Sequence, residues 1–172
     1  MKSDFSVSLA KIIKEFSLET IYIPKAAEDI LVSNVEVNRP GLQLAGYYEF
    51  FDSERVQVIG KSEESYLCEL DSEKLYACLD NFFSRKPPMV IVSRGMNILD
   101  EMKKVAEKYE VPLLRTNDST SGFLAALIAF LNVQLAPRIT RHGVLVEVYG
   151  EGVLLLGESG VGKSETAIEL VK

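Results

Sequence analysis

Apolar residues recur at helical spacing over residues 6–16, where Leu9, Ile12, Ile13 and Phe16 share one face, and this predicts a first helix. Short β-like pieces follow at 20–23, 41–47 and 55–60. In the last of these Val56, Val58 and Ile59 nearly alternate with polar neighbours, as in a half-buried strand. Pro40-Gly41 reads as a tight turn, because proline presets φ and glycine accepts positive φ. The rhythm then changes. Residues 72–84 predict a helix, with Leu75, Cys78, Leu79, Phe82 and Phe83 on one side, stopped by Pro87-Pro88. The apolar run 89–92 predicts a buried strand. A helix over 97–110, a strand over 111–115 and a long helix over 119–136 complete the series. Asp118, Ser119 and Thr120 stand at the start of that long helix as candidate caps.

Strand, helix, strand, helix at this spacing implies a parallel βαβ unit, so residues 1–132 read as one α/β domain. Pro137 ends the long helix, and residues 138–142 read as a polar crossing. A hairpin follows, with strands over 143–149 and 152–156 and Gly150-Glu151 as a two-residue type II′ loop. Its second strand runs into a glycine-rich segment, and a helix begins there. Residues 133–172 therefore read as the opening of a second domain, cut before that domain completes its own sheet.

Composition narrows the class without choosing a function. The chain has 172 residues, 47% hydrophobic and 26% charged, the profile of a globular protein. Its longest apolar run, residues 123–131, is far below membrane-spanning length, and residues 1–10 show no secretory signal, so no membrane role is expected. A net charge of −6 supplies no basic stripe for nucleic acid. Cys68 and Cys78 match neither a zinc spacing nor a CxxC motif, and read as reduced thiols of a cytoplasmic protein.

One motif carries chemistry. Gly157, Glu158, Ser159, Gly160, Val161, Gly162, Lys163 and Ser164 match GxxxxGK[ST] at every fixed position, after an apolar strand and before a helical stretch. The glycines let the backbone curl so that N–H groups point inward at phosphate oxygens. The helix that follows adds the positive end of its dipole. Lys163 reaches the β- and γ-phosphates, and the Ser164 hydroxyl is a hard oxygen ligand for Mg²⁺. His142 is the single histidine. A lone histidine is more often a surface or packed residue than a catalytic one, but the expected hairpin register sets it opposite Ser159, beside the loop. Arg138 and Arg141 read as solvated linker. Arg94-Gly95 lies at a strand's carboxyl end, where α/β sites form, although a surface turn is the plainer reading. A phosphoryl-transfer enzyme also needs a second acidic Mg²⁺ ligand and a group that activates the nucleophile, and neither has room in the eight residues after Ser164.

The blocks 38–46, 55–60, 112–116 and 135–137, together with the continuous run from His142 through Ala167, resemble the bacterial HPr kinase/phosphorylase family over essentially the whole chain. The resemblance implies an N-terminal α/β domain followed by the start of a P-loop kinase domain akin to phosphoenolpyruvate carboxykinase. It implies ATP- or pyrophosphate-dependent phosphorylation of a regulatory serine on the phosphocarrier protein HPr, and the reverse phosphorolysis to pyrophosphate. It further implies Mg²⁺, a cytoplasmic homohexamer and a role in carbon catabolite repression. By position, His142 and Lys163 are implied as active-site residues, residues 157–164 as the nucleotide or pyrophosphate site, and Ser164 as the metal ligand. The family's acid/base Asp and a further Mg²⁺-binding Glu fall beyond Lys172, so these residues alone are expected to be inactive. A non-catalytic assembly or regulatory role and a different P-loop small-molecule kinase are the alternative readings.

Overall fold

Three short apolar strands, over 56–59, 90–92 and 113–115, lie side by side in the computed structural model, which describes residues 2–172. The elements are β1 (Lys2–Ser8), α1 (Leu9–Phe16), β2 (Glu19–Tyr22), β3 (Leu31–Asn34), β4 (Val37–Asn38), α2 (Gly41–Leu44), β5 (Val56–Ile59) and α3 (Lys61–Cys68). They continue with α4 (Ser72–Phe83), β6 (Val90–Val92), α5 (Asp100–Tyr109), β7 (Leu113–Arg115), α6 (Thr120–Gln134), β8 (Gly143–Val148), β9 (Glu151–Leu156) and α7 (Lys163–Leu170). The chain divides into two units, Met1–Pro137 and Arg138–Lys172.

The first unit is built on a five-stranded sheet of order β2-β7-β6-β5-β4. Strands β4 to β7 are parallel, and β2 closes one edge antiparallel to β7. The βαβ expectation holds, because the helices between β5, β6 and β7 return the chain to the same end of the sheet. Each strand shows alternate residues to opposite faces. Val56, Val58, Met89, Ile91 and Leu114 pack with Leu9 and Ile12 of α1 and with Phe123, Leu127 and Leu131 of α6. Ile59, Val90, Val92 and Leu113 pack with Leu79, Phe82 and Phe83 of α4 and with Val105 and Ala106 of α5. Gln57 is fully buried in β5, and its amide is matched: Asn38 Nδ2 donates to its Oε1 at 2.9 Å, and its Nε2 donates to the Arg55 carbonyl at 2.8 Å.

Three expectations are corrected. The helix predicted over 6–16 starts only at Leu9; the residues before it form β1, which pairs antiparallel with β3. The alternation of Phe5 and Val7 with Ser6 and Ser8 is the signal for that strand. The strand predicted over 41–47 is instead the single helical turn α2. Leu44 N donates to the Pro40 carbonyl at 2.9 Å, which turns Gln43 and Leu44 inward and leaves Leu42 exposed. In the second unit the hairpin turns at Tyr149-Gly150, not Gly150-Glu151. Both turn residues have positive φ, 53° and 83°, which makes a type I′ turn whose twist suits the flanking strands.

In that hairpin Val144, Val146, Val153 and Leu155 are half-buried on one face. The opposite face carries Leu145, Leu154 and Leu156, all exposed. Among the described residues no helix is long and apolar enough to cross a membrane.

Two outcomes follow from the packing. Phe123 is 1% exposed, with its ring edge-on to Phe16 at 5.4 Å, so Phe123→Ala should cost about 3–5 kcal/mol in urea unfolding. A loss below about 1 kcal/mol would mean that α6 does not seal this face. Burial pushes the Cys78 thiol from its ordinary 9.0 up to about 11, and its S–H donates to the Leu44 carbonyl. The stabilising effect of keeping that thiol neutral is complete below about pH 9 and is lost as pH rises towards 11. At pH 8 a thiol reagent should label exposed Cys68 rapidly and half-buried Cys78 much more slowly. Equal labelling rates would contradict that burial.

Candidate phosphate-binding loop

Residues 157–164 connect β9 to α7, and the chain curls there because glycine occupies the positions that need it. Gly160 and Gly162 have φ of 82° and 85°, a region that other residues enter only with strain. Gly157 leaves little space for a side chain: a Cβ there would lie 3.0 Å from Val161 Cγ2, which would have to shift. Lys163 Nζ reaches back across the curl and donates to the Gly157 carbonyl at 2.9 Å and to the Glu158 carbonyl. The ammonium thus bridges the first two residues of the loop to the first residue of α7. Thr166 fastens the opening turn of that helix, its N–H and its hydroxyl both donating to the Gly162 carbonyl at 3.0 Å. The loop borders a cavity of about 340 Å³ lined by Ser159, Gly160, Gly162, Lys163, Ser164 and Glu165.

This geometry sets one half-buried cation, a glycine-rich backbone curl and a helix start around one space. Such an arrangement receives a chain of anionic oxygens. Ser164 is exposed at the second position of α7, and no other described residue hydrogen-bonds its hydroxyl. A hard oxygen so placed suits a magnesium ion, which takes few protein ligands alongside phosphate oxygens and water. Among the described residues no cluster of three His, Cys, Asp or Glu side chains forms a self-contained metal cage.

His142 sits at the same end of the hairpin, but its partner differs from the expected one. The ladder pairs Gly143 with Leu156 and Val148 with Glu151, so extending it by one residue sets His142 opposite Gly157 rather than Ser159. The reason is the turn, which lies one residue earlier than read from the sequence and moves the pairing by two. His142 remains exposed at the entrance to the loop. Two contributors were not anticipated. Gly143 admits no side chain, since a Cβ there would lie 2.8 Å from the Leu155 carbonyl oxygen, and this lets the histidine's strand close tightly on β9. Thr166 is the other, and a hydroxyl four residues after a loop glycine is its signal in the sequence. Arg138 and Arg141 are exposed in the crossing segment.

The HPr serine kinase N-terminal family model matches residues 7–131, and the HPr serine kinase C-terminal domain model matches residues 133–172. The HPr kinase/phosphorylase of Caldicellulosiruptor bescii is 48% identical over 168 residues, covering 98% of this chain and 54% of that protein. That of Caldanaerobacter subterraneus is 49% identical over 166 residues, covering 96% of this chain and 54% of the relative. That of Lachnoclostridium phytofermentans is 42% identical over 168 residues, with coverage of 98% and 54%. The chain thus spans about half the length of the curated relatives it matches. Among solved structures, the CBS and DRTGG domains of the regulatory region of Clostridium perfringens pyrophosphatase share the fold, with a TM-score of 0.52 at 18% identity over 82% of this chain and 53% of that one. A phosphate-type loop between β9 and α7, with two adjoining family matches that together run from residue 7 to residue 172, leads to one conclusion: the chain belongs to the HPr serine kinase family.

Proposed function

We propose that these residues form the N-terminal domain, 1–132, and the phosphate-binding opening, 133–172, of an HPr kinase/phosphorylase. The reaction is transfer of a phosphoryl group from ATP or pyrophosphate to a seryl hydroxyl of the phosphocarrier protein HPr. In reverse, inorganic phosphate attacks phosphoseryl HPr, freeing the serine and forming pyrophosphate. The observation that carries this reading is the curled loop closed by Lys163 at the start of α7. The relatives named above bear the same activity in their names.

The roles follow from chemistry. The amides of residues 157–164 hold the donor's phosphates, with Lys163 as a point charge on the transferring group. That requires its ammonium to exchange the Gly157 and Glu158 carbonyls for phosphate oxygens. Ser164 contributes a ligand to Mg²⁺, which neutralises phosphate charge when bound. His142, at the mouth of the loop, is an active-site group that stabilises charge or relays a proton. We place the enzyme in the cytoplasm as a homohexamer that serves carbon catabolite repression.

The complete protein, incubated with Mg²⁺, ATP and HPr, should acquire label on a seryl residue of HPr, and should release pyrophosphate from phosphoseryl HPr in phosphate buffer. Absence of both activities would defeat the reading. Lys163→Ala should lower both rates by about 100-fold or more with little change in melting temperature, because the side chain touches only loop carbonyls. His142→Ala should depress phosphoryl transfer far more than Tm. Parallel loss of rate and Tm would make the histidine structural.

A further inference from the structure

The first unit gathers polar groups where its parallel strands end. Arg39 follows β4, Gly60 follows β5, Ser93-Arg94 follows β6 and Thr116 follows β7. Carboxyl ends of parallel strands are where open α/β sheets hold ligands. Thr120, the first residue of α6, ties these ends together. Ser93 Oγ lies 3.0 Å from the Ile59 carbonyl and donates to it, and it lies 2.8 Å from Thr120 Oγ1. With its one proton so used, Ser93 accepts from the Thr120 hydroxyl, and Thr120 accepts from Arg94 Nε at 3.3 Å. The result is a directional chain of hydrogen bonds from a guanidinium through two buried hydroxyls to a strand carbonyl.

That chain fixes the Arg94 fork through Nε alone. Among the described residues no carboxylate pairs with Arg94, and its Nη groups donate to none of them. Its backbone is held in the left-handed region, φ 62°, by Arg94 N donating to the Asp118 carbonyl at 2.9 Å, and Gly95 N donates to the Thr116 carbonyl at 2.8 Å. Arg39 is anchored in parallel fashion. Its Nη2 donates to Glu63 Oε2 at 2.7 Å, and that same oxygen accepts the Gly60 N–H at 3.0 Å. Glu63 is 5% exposed, whereas the Arg39 side chain is 40% exposed, so the carboxylate orients a guanidinium that still meets solvent. Both arginines approach one spot. A Cβ on Gly60 would lie 2.9 Å from Thr120 Oγ1 and 3.1 Å from Arg39 Nη2. Glycine is required there, and Arg39 and Thr120 are thereby near neighbours.

We propose that Arg39 and Arg94 form an anion site at the carboxyl end of this sheet, separate from the loop at residues 157–164, that binds a phosphate-bearing small molecule. Two forks, each set by buried partners and each with free N–H groups, suit a tetrahedral anion with three terminal oxygens. A planar carboxylate has only two oxygens, which a single fork satisfies. The buried Glu63 offsets one of the two cations, so the site retains a net positive charge for the ligand.

The test uses the whole chain, labelled with ¹⁵N and titrated separately with inorganic phosphate, pyrophosphate and acetate. The amides of Gly60, Gly95 and Thr120 should move saturably with phosphate or pyrophosphate and not with acetate. Arg94→Gln should weaken that response by about tenfold or more, and Arg94→Lys should not restore it, because charge without a fork does not suffice. The amides of Gly160 and Gly162 report the other site and should respond alike in all three proteins. Arg94 is exposed, so its replacement leaves the core intact. Amides at Gly60, Gly95 and Thr120 that stay still up to about 20 mM phosphate would overturn the proposal. So would an unchanged response in Arg94→Gln, or an equal response to acetate.

Discussion

Strands β5, β6 and β7 are sealed on both faces, and everything chemical in the first unit is arranged around that seal. With helices α1 and α6 on one side and α4 and α5 on the other, side chains along these strands have no route to water, except Arg115 at the end of β7. A polar residue inside must find its partners locally, as Gln57 does with Asn38 and the Arg55 carbonyl. Solvent-facing polar groups are therefore displaced to the strand ends. There Ser93, Thr116 and Thr120 are buried yet matched, and the arginines beside them reach water.

The second unit solves a different problem with fewer residues. A two-stranded hairpin and one helix have little core of their own, with Ala167 the one buried side chain of α7. The phosphate loop relies on backbone chemistry instead. Positive-φ glycines set the curl, the Lys163 ammonium spans it, and Thr166 pins the helix start. Geometry of this kind resides in the main chain, and its specification needs glycine more than any particular side chain.

The loop was fully legible in the sequence, because its fixed positions state their own physical requirements. So were β5, β6, β7 and the helices α4 and α5, where apolar runs and proline stops agree. Less could be read where local signals were short or shared. Pro40-Gly41 fits a turn into a strand as readily as a turn into a helix, and four residues are too few for period to decide. The polar helix α3 buries only Glu63 and Leu67, so it shows almost no apolar stripe. Strand β4 has just two residues. At the hairpin, Gly150 suits the first position of one turn type and the second of another, and Tyr149 gives no hint of its positive φ. The resulting shift was by two, the period of a strand, so each side chain kept its face while His142 slid by about 7 Å along the ladder. The arginine cluster could not be assembled from sequence, since Arg39 and Arg94 become neighbours only through Gly60 and Thr120.

The outward leucines of the hairpin, Leu145, Leu154 and Leu156, bear on handling as much as on architecture. They form a greasy ribbon beside two unpaired strand edges, which is a template for sticking to other ribbons. These residues add an apolar, self-associating surface to the smaller unit. Mild detergent or a charge placed on that ribbon would improve colloidal behaviour without touching a single residue of the buried sheet.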